Sequence, residues 1–240
     1  MPVQPATRKR ILALTLALVL VVPLSALAAK WQWSRHLSRD ERNAHITAAI
    51  GQRAVAWDVL LADGLQAQEE WRRVTLPAQW VAGEQYLVRK QVVNGATGFT
   101  VVQGTRLPDG RLAYVVLGWT ASAVRVDVRT LPGQVVVRLR PVIGDEPVRP
   151  ADLPEGQINR VDPQELGNVA GLPVLEAVLE LVQPVPATLT PIPLPELDGG
   201  PHVSYTGQWI LIGITGVVVY VILVRREFQE AASGDANCVE

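Results

Sequence analysis

A histidine at the start of an apolar segment is the residue of this chain that is best placed to bind a ligand. His202 directly follows Gly199-Gly200-Pro201. Proline suits the first position of a helix, because the N–H group that it lacks would have no partner there. In the first turn of such a helix the macrodipole favours the neutral form of the imidazole. Neutral imidazole binds metal ions and haem iron, so the sequence predicts a candidate ligand at this helix start.

The positions three and four residues further on continue the same face of this helix. They are occupied by Tyr205, Trp209, Gly213, Gly216 and Tyr220. One interpretation is a binding face, in which aromatic side chains lie beside a flat cofactor and the glycines allow its close approach. The other is structural, because tyrosine and tryptophan anchor helices at membrane interfaces and small residues let helices pack closely. The spacing alone leaves both interpretations open.

The familiar sequence signatures of enzymes are missing from the chain. It contains no Gly-x-Ser-x-Gly, no glycine-rich phosphate loop and no His-Glu-x-x-His. The single cysteine, Cys238, excludes an intramolecular disulfide and a Cys-x-x-Cys metal site. His36 and His45 lie in a charged segment with Glu41 one turn before His45, which predicts an ion pair on a helix surface. We therefore expect a protein that is not an enzyme.

The composition excludes further classes of protein. Apolar residues make up 48% of the 240 residues and charged residues 19%, which is too apolar for a disordered chain. The net charge of −1 leaves no basic surface that could neutralise phosphates, so we expect no nucleic-acid partner. Residues 11–29 and 205–224 contain no charged side chain at all, which excludes an ordinary soluble globule.

These two uncharged segments are long enough to cross a membrane. Each spans about 30 Å as a helix, which matches the hydrocarbon core. No lysine or arginine occurs between residues 161 and 224, and Arg225 and Arg226 then follow at once, which places the C-terminal end in the cytoplasm. Two crossings place the N-terminus there as well. The prediction is a multi-pass plasma-membrane protein in contact with lipid, with residues 1–10 and 225–240 cytoplasmic and residues 30–204 outside.

The first segment also has the form of a signal peptide. Arg8, Lys9 and Arg10 precede its apolar run, and Ala26-Leu27-Ala28 follows Pro23, so that cleavage after Ala28 would leave one C-terminal anchor. Trp31-Gln32-Trp33 comes directly afterwards, as an interfacial aromatic belt would. We prefer the uncleaved helix, and both alternatives place the middle of the chain outside.

The segment between the two predicted spans has the patterns of a folded domain. Residues 34–50 have a helical period of apolar and charged side chains, which predicts an amphipathic helix. From 55 to 182 the period changes to two, which predicts a β-rich core. The proline-rich stretch 184–201 predicts an extended connector. The predicted fold is therefore a membrane protein in which two transmembrane helices, 11–29 and 205–224, flank an extracytoplasmic, mainly antiparallel β (α+β) domain.

Alternating apolar residues predict individual strands within this core. The predicted strands are residues 71–76, 85–88, 98–102, 112–117 and 133–141. Pro108-Asp109-Gly110 predicts a hairpin turn between two of them. The strand at 133–141 should have one wet face, formed by Val136, Arg138 and Arg140. The apolar run from Val174 to Val182 is compatible with either a strand or a helix.

Ten consecutive residues around His202 resemble a known motif. Gly200-Pro201-His202-Val203-Ser204-Tyr205-Thr206-Gly207-Gln208-Trp209 is similar to the Gly-Pro-His-Leu-Ser-Tyr-Ala-x-Gln-Trp motif of the Surfeit-locus cytochrome c oxidase assembly factors. Further matches follow in the family's order: Trp31-Gln32-Trp33-x-Arg35, Glu70-Trp71-Arg72-Arg73-Val74, Asn94-Gly95-x-x-Gly98-Phe99, Asp109-Gly110-Arg111, Gly118-Trp119, Gln157-Ile158-Asn159-Arg160-Val161-Asp162 and Pro193-Leu194-Pro195. The chain resembles this family over nearly its whole length.

The resemblance implies a two-helix membrane protein that aids assembly of haem-copper cytochrome c oxidase. Bacterial members are associated with haem a, which they are thought to present to the catalytic subunit. The implied partners are therefore that subunit and the machinery of haem a synthesis, and the implied cofactor is haem a. On this view His202 is the ligand of the haem iron, and Tyr205 and Trp209 lie beside the haem.

Two other functions remain compatible with the residues alone. A membrane-anchored module could bind or sense an extracytoplasmic ligand without haem, although the tail at residues 225–240 is short for a cytoplasmic output domain. A membrane-attached hydrolase would need an activated nucleophile, and no serine of this chain lies in a recognisable elbow. We take the assembly factor as the prediction and the sensing module as the alternative.

Overall fold

The computed structural model describes residues 5–62, 64–141, 148 and 152–236, with side chains between 7 and 230. Cys238, parts of the two predicted cytoplasmic ends and most of residues 142–151 lie outside the described residues. The chain divides into two compact units. One comprises the chain up to Ala44 together with the part from Leu197 onwards, and the other comprises His45–Glu196.

Two long helices form the first unit. Helix α1 covers Pro5–Gly51, the last residues of which belong to the second unit, and α4 covers His202–Ala236. Both are long and apolar enough to cross a membrane, by length and composition. Their apolar side chains are largely exposed, as at Leu20 and Leu211, which are 64% and 63% accessible. The prediction of two apolar helices, one near each end of the chain, is confirmed.

The less exposed residues of the two helices recur at alternating steps of three and four. On α1 they include Ile11, Thr15, Leu18, Val22, Ser25, Ala29, Gln32, His36, Arg39 and Asn43. On α4 they include His202, Thr206, Trp209, Gly213, Gly216, Tyr220, Leu223 and Glu227. We call these two rows together the helix seam. A repeat of 3.5 residues is the period of a left-handed coiled coil.

The contacts across the seam make the two helices antiparallel. Arg10 contacts Glu227 near one end, and Gln32 contacts His202 near the other. Between them, a Cβ added to Gly213 would lie 3.5 Å from the Cβ of Ser25. The absence of a side chain at this glycine thus lets the two backbones approach closely.

In the described part of the second unit, eight strands form one sheet in the order β1-β2-β6-β8-β5-β4-β3-β7. The strands are β1 Val55–Ala56, β2 Arg73–Pro77, β3 Gln79–Val93, β4 Ala96–Arg106, β5 Leu112–Thr120, β6 Gln134–Arg140, β7 Gln157–Ile158 and β8 Val174–Gln183. Short helices α2 (Trp57–Leu61) and α3 (Pro163–Ala170) and two 3₁₀ turns, Ala67–Glu69 and Val128–Thr130, complete the unit.

The sheet is mainly antiparallel, as expected, but it also contains parallel pairs. The long pairs β3–β4, β4–β5, β2–β6 and β6–β8 are antiparallel, whereas β5–β8, β1–β2 and β3–β7 are parallel. Strand β8 returns from α3 and inserts between β5 and β6. The direction of β8 relative to its neighbours follows from this crossover connection. The periodicity of a single strand does not predict such a connection.

Each predicted strand corresponds to an observed one, and the open segment 174–182 is a strand. The predicted turn is confirmed: Gly110 N–H donates to Leu107 O at 3.0 Å, and the Asp109 carboxylate accepts from Arg111 N at 3.0 Å. Helix α3 was not predicted, although Asp162, Pro163 and Glu165 form a helix start. Gly171, in the left-handed conformation at φ 67°, caps its end.

Apolar residues of the second unit form a cluster on each face of the sheet. Alternate residues of β8 divide between them: Leu175, Ala177 and Leu179 join one cluster, and Val178 joins the other. Trp57 of α2 belongs to the first cluster and Leu166 of α3 to the second. Both faces of the sheet are therefore covered, in accordance with the continuous apolar run in β8.

The predicted wet face of β6 is wrong at Arg138. This residue is 7% accessible, and its guanidinium pairs with Glu180 of β8, which is 3% accessible. Arg140 donates to the second oxygen of Glu180 at 2.6 Å and stacks on Trp71, with 4.1 Å between its guanidinium carbon and the ring centroid. A charged residue can be buried in a strand where a neighbouring strand supplies its counter-charge.

Two motif positions of the hairpin β4–β5 have packing functions. Gly98 lies against the ring of Trp119, because a Cβ at this glycine would be 2.6 Å from the ring atom Cζ2. The ring Nε1–H of Trp119 donates to Gln91 O at 3.0 Å. The backbone of Trp119 also exchanges two hydrogen bonds with Thr190, at 2.7 and 2.8 Å. The proline-rich connector is thus attached to the sheet at this point.

Candidate functional site

Helix α4 begins at His202, with Pro201 directly before it. The carbonyl of Pro201 accepts hydrogen bonds from Tyr205 N at 3.1 Å and from the Ser204 hydroxyl at 2.8 Å. Gly200 has φ 62°, a conformation that disfavours a side chain. The Gly-Pro-His sequence therefore turns the chain sharply into the helix and leaves the imidazole in its first turn.

The imidazole of His202 is held by a residue of the other helix. Its Nδ1 lies 2.8 Å from Oε1 of Gln32 in α1. Both side chains are half-buried on the helix seam. Because Oε1 can only accept, the proton of this hydrogen bond lies on Nδ1. The other ring nitrogen, Nε2, then has a free lone pair and can bind a metal or haem iron.

A second set of contacts attaches the segment before His202 to α1. Arg39 forms an ion pair with Asp198 at 3.3 Å, and the amide of Asn43 donates to Asp198 O at 3.0 Å. The guanidinium of Arg39 lies directly against Gly200, and a side chain at that glycine would collide with it. The position of His202 is thus determined by α1 on both sides of the turn.

Trp209 lies two turns below His202 and borders an apolar groove. The groove has a volume of about 290 Å³. Its lining comprises Val22, Ser25, Ala26, Ala29, Trp209, Ile210, Gly213, Ile214 and Val217. Because the residues of α1 opposite Trp209 are small, the groove has room for part of an apolar ligand, such as a hydrocarbon chain. It is too small to enclose a whole macrocycle.

Tyr205 does not share this groove. The side chain of Tyr205 is 46% exposed. At this turn of α4 the residue on the seam is Thr206, whereas the face predicted from the sequence contained Tyr205. The hydroxyl of Thr206 donates to His202 O at 2.9 Å. Tyr220, the last residue of the predicted face, lies on the seam and shares a 3.0 Å hydrogen bond with Thr15. The structure thus places His202 and Trp209 on the seam and Tyr205 at its edge.

The other two histidines have different surroundings. Nε2 of His36 lies 3.4 Å from the carboxylate of Asp40, one turn further along α1. Its ring centroid is 5.2 Å from that of Trp33. His45 is exposed. The side-chain contact expected on this surface therefore forms between His36 and Asp40 rather than between Glu41 and His45, since Asp40 is four residues beyond His36.

The donors at the start of α4 suit a haem iron better than a bare metal ion. Among the described residues, no group of three or more His, Cys, Asp or Glu side chains could hold a metal ion. A structural metal site generally needs four such ligands, whereas one histidine suffices as the protein ligand of haem iron. His202 could serve as that ligand, with Trp209 and the groove beside the apolar part of the molecule.

The sheet unit contains a larger cleft of about 460 Å³. Its polar lining includes Gln91, Thr100, Arg140, Asn159, Arg160 and Glu180, and the rest is mainly apolar. Burial lowers the pKa of the Arg140 guanidinium, and the adjacent carboxylate of Glu180 only partly offsets this effect. The cleft combines an apolar surface with charged groups that already have partners, Arg140 with Glu180 and Arg160 with Asp162.

Sequence reasoning missed Gln32 and Thr206 as neighbours of His202. Gln32 was recognised only as part of a motif after the first apolar segment. A usable signal exists in the seam of α1, where Ser25, Gln32 and Arg39 recur every seven residues. Polar residues at the seam positions of an apolar helix indicate contacts with a partner helix.

Comparison with known proteins agrees with the motifs. The sequence model of the SURF1 family matches residues 19–214. Uncharacterized SURF1-like proteins of Mycobacterium bovis and of two strains of Mycobacterium tuberculosis are each 27% identical over 242 aligned residues. These alignments cover 92% of this chain and 88% of each relative. The family model covers both the sheet unit and the start of α4, and on this evidence the chain belongs to the SURF1 family.

Proposed function

We propose that this protein assists the assembly of cytochrome c oxidase by holding haem a at the start of α4 and making it available to the catalytic subunit. The hydrogen bond from His202 Nδ1 to Gln32 is the observation that carries the proposal, since it leaves Nε2 as a free ligand. Membership of the SURF1 family and the Gly-Pro-His motif support the same assignment. The partners are the oxidase catalytic subunit and the machinery that synthesises haem a.

The proposal places α1 and α4 across the plasma membrane, with both chain ends in the cytoplasm. The exposed apolar surfaces of both helices support this placement, because exposing so many leucine and valine side chains to water would cost free energy. Arg225 and Arg226 directly after the apolar part of α4 support the orientation. His202 then lies at the outer boundary of the membrane, where a haem with a long apolar tail would be held.

The residues around His202 would hold haem a and still allow its release. Haem a, when bound, supplies the iron that Nε2 of His202 would coordinate. Trp209 offers an aromatic surface on the same seam, and the nearly all-apolar lining of the groove next to it suits an apolar part of the ligand. A single protein ligand on one helix suits a carrier, which must give up its cargo to the oxidase.

A second candidate function is a membrane-anchored binding module without haem. The cleft in the sheet unit supports it, because about 460 Å³ is large enough for a small molecule. In that case the ligand would contact the face of β3, β5 and β8, and substitutions at His202 would leave ligand binding unchanged.

The test is complementation of a deletion strain that has no second copy. Deletion should reduce the assembled, haem-a-loaded oxidase in membrane spectra without abolishing haem a synthesis. The parent protein should restore the spectrum, whereas His202→Ala should not, and purified His202→Ala should lose most of the haem absorbance of the parent. Trp209→Ala should weaken that absorbance less, and Tyr205→Phe least, because Tyr205 lies at the edge of the seam.

Membrane insertion of the variants serves as the control, since alanine in a first helical turn costs little stability. A normal oxidase spectrum in the deletion strain would refute the assembly function. An unchanged haem absorbance in His202→Ala would show that another residue binds the haem.

A further inference from the structure

We propose that Gln32 is the positioning residue of this site: it selects the tautomer of His202 in which Nδ1 carries the proton and so presents the lone pair of Nε2 to a ligand. The proposal rests on the proposed function only for the identity of that ligand. It joins two residues that are 170 positions apart in the sequence and face each other across the helix seam.

The chemistry of the contact carries the assignment. The distance between Nδ1 and Oε1 is 2.8 Å, which is that of a good hydrogen bond. An amide oxygen has no proton to donate, so the imidazole must be the donor. A neutral imidazole has only one N–H, and its position on Nδ1 leaves Nε2 unprotonated. A free histidine side chain prefers the opposite tautomer, so the contact changes which nitrogen is available.

The surroundings make this contact strong. Both side chains lie half-buried on the seam, at the end of the apolar part of α1 and at the start of α4. A hydrogen bond is stronger where little water competes for its partners. Loss of the acceptor would leave the half-buried N–H of His202 without this partner, which costs free energy. The imidazole therefore has one favoured orientation as well as one favoured tautomer.

A neutral acceptor also sets the strength of the ligand. Metal-binding histidines usually donate their second N–H to a carboxylate, a carbonyl or water, and a stronger acceptor makes the imidazole a more basic ligand. The amide of Gln32 carries no charge, so it orients His202 without the full increase in basicity that a carboxylate would produce. Such a site would bind a group and still release it.

The first test measures the tautomer of the full-length protein in detergent without haem. In ¹⁵N-histidine-labelled protein at pH 8, the signals of His202 are assigned by their loss in His202→Ala. The parent should show a protonated Nδ1 and an unprotonated Nε2. Gln32→Leu should shift the population toward protonated Nε2, and Gln32→Glu should restore the parent pattern because its carboxylate accepts the same proton.

The second test titrates haem a into the same proteins. Gln32→Leu should bind about 10- to 100-fold more weakly, which is the usual effect of losing such a partner. Gln32→Glu should bind at least as tightly as the parent, with a lower reduction potential of the bound iron. Thr15→Val is the matched control: it removes another hydrogen bond across the seam, about 25 Å away, and should leave both the tautomer and the affinity unchanged.

The two tests separate the two proposals. If the parent shows protonated Nε2, or if Gln32→Leu leaves the spectrum unchanged, the assignment of Gln32 is wrong even when haem binds. If the tautomers behave as expected but the parent binds no haem, the haem-carrying function fails and the assignment of Gln32 remains. If Thr15→Val weakens haem binding as much as Gln32→Leu, the effect is general packing of the helices, and a positioning function of Gln32 is refuted.

Discussion

Among single residues, Glu180 stands out because it is the buried carboxylate of the described part of the sheet unit. Its two oxygens accept from Arg138 and Arg140, and the arginines stack on Trp71. Glu180 and Arg138 are nearly inaccessible to water. A buried ion pair need not stabilise a fold relative to apolar residues, but removal of one partner leaves a buried charge uncompensated.

We expect Glu180→Ala to reduce the free energy of unfolding by about 3 kcal/mol or more, because two arginines lose their counter-charge. Urea unfolding of the full-length protein in detergent, followed by tryptophan fluorescence, measures the change. Glu176→Ala is the control, since this residue lies on the same strand but is exposed, and it should change stability by less than about 0.5 kcal/mol. Equal urea midpoints for the two variants would contradict this account.

His202 and Gln32 differ in how far their functions can be recognised from the residue itself. The chemistry of His202 follows from its own position at a helix start, which a glycine and a proline mark in the sequence. The function proposed for Gln32 exists only because His202 lies across from it. A glutamine after an apolar segment has no chemistry of its own to identify it.

Among the elements, helix α3 depends on its first residues. The Asp162 carboxylate accepts hydrogen bonds from Gln164 N at 3.0 Å and Glu165 N at 3.2 Å, and from Arg160 at 2.8 Å. Burial alone would raise the pKa of Asp162, but these hydrogen bonds and the charge of Arg160 outweigh it and lower the pKa below the usual value. The charged form is therefore the form that the folded protein favours.

We expect Asp162→Ala to destabilise the start of α3 by about 1 kcal/mol at neutral pH, as the loss of a helix cap usually does. A carboxyl with a lowered folded pKa contributes its stabilisation above the unfolded pKa of about 3.9, and this is lost as the pH falls through the folded pKa. The difference between parent and variant should therefore narrow below about pH 4.

Amide hydrogen exchange of the full-length protein, read in peptides that cover α3, measures this local effect across pH. Asp162→Asn is the control, because asparagine keeps the capping oxygen but not the charge. It should retain most of the protection at neutral pH and show less change with pH than the parent. Equal loss of protection in Asp162→Asn and Asp162→Ala would show that the charge rather than the cap matters.

The packing of the two long helices against each other depends on the helix seam. Its residues repeat every 3.5 positions on both helices, and Gly213 and Gly216 allow close contact with Ser25 and Val21. The sequence-based face on α4 found most of these positions. Tyr205 is exposed and Thr206 is half-buried, because steps of three and four fit two adjacent rows of the helix equally well.

For the whole molecule, the orientation in the membrane is the property to test. The native chain has a single cysteine, Cys238, so a membrane-impermeant maleimide can report one position at a time. In intact spheroplasts Cys238 should react only after the membrane is permeabilised. In a Cys238→Ser protein, a cysteine introduced by Ser122→Cys at an exposed position after β5 should react at once.

The Cys238→Ser protein alone is the control for background labelling. Labelling of Cys238 in intact spheroplasts would overturn the predicted orientation of α4. Intact mass of the purified protein decides between two spans and one: loss of residues 1–28 would mean that the first segment is a cleaved signal peptide.

The sequence by itself determined the two apolar helices, the strands, the hairpin turn, the family and the ligand candidate His202. These features depend on neighbours in the chain: an uncharged run, a period of two, a glycine and proline before a histidine. Even α3 was accessible in this way, since Asp162, Pro163 and Gly171 mark its ends.

Only the tertiary structure decided the mixed sheet, the burial of Arg138, the edge position of Tyr205 and the contact of Gln32 with His202. Each depends on residues that are distant in the sequence: β8 inserts between β5 and β6, Glu180 meets Arg138, and α1 meets α4. A contact of this kind has no signature in the sequence around either residue, because each residue could equally well contact a different partner. The physical reason is that burial, charge compensation and tautomer are properties of a contact, which exists only once the chain has folded.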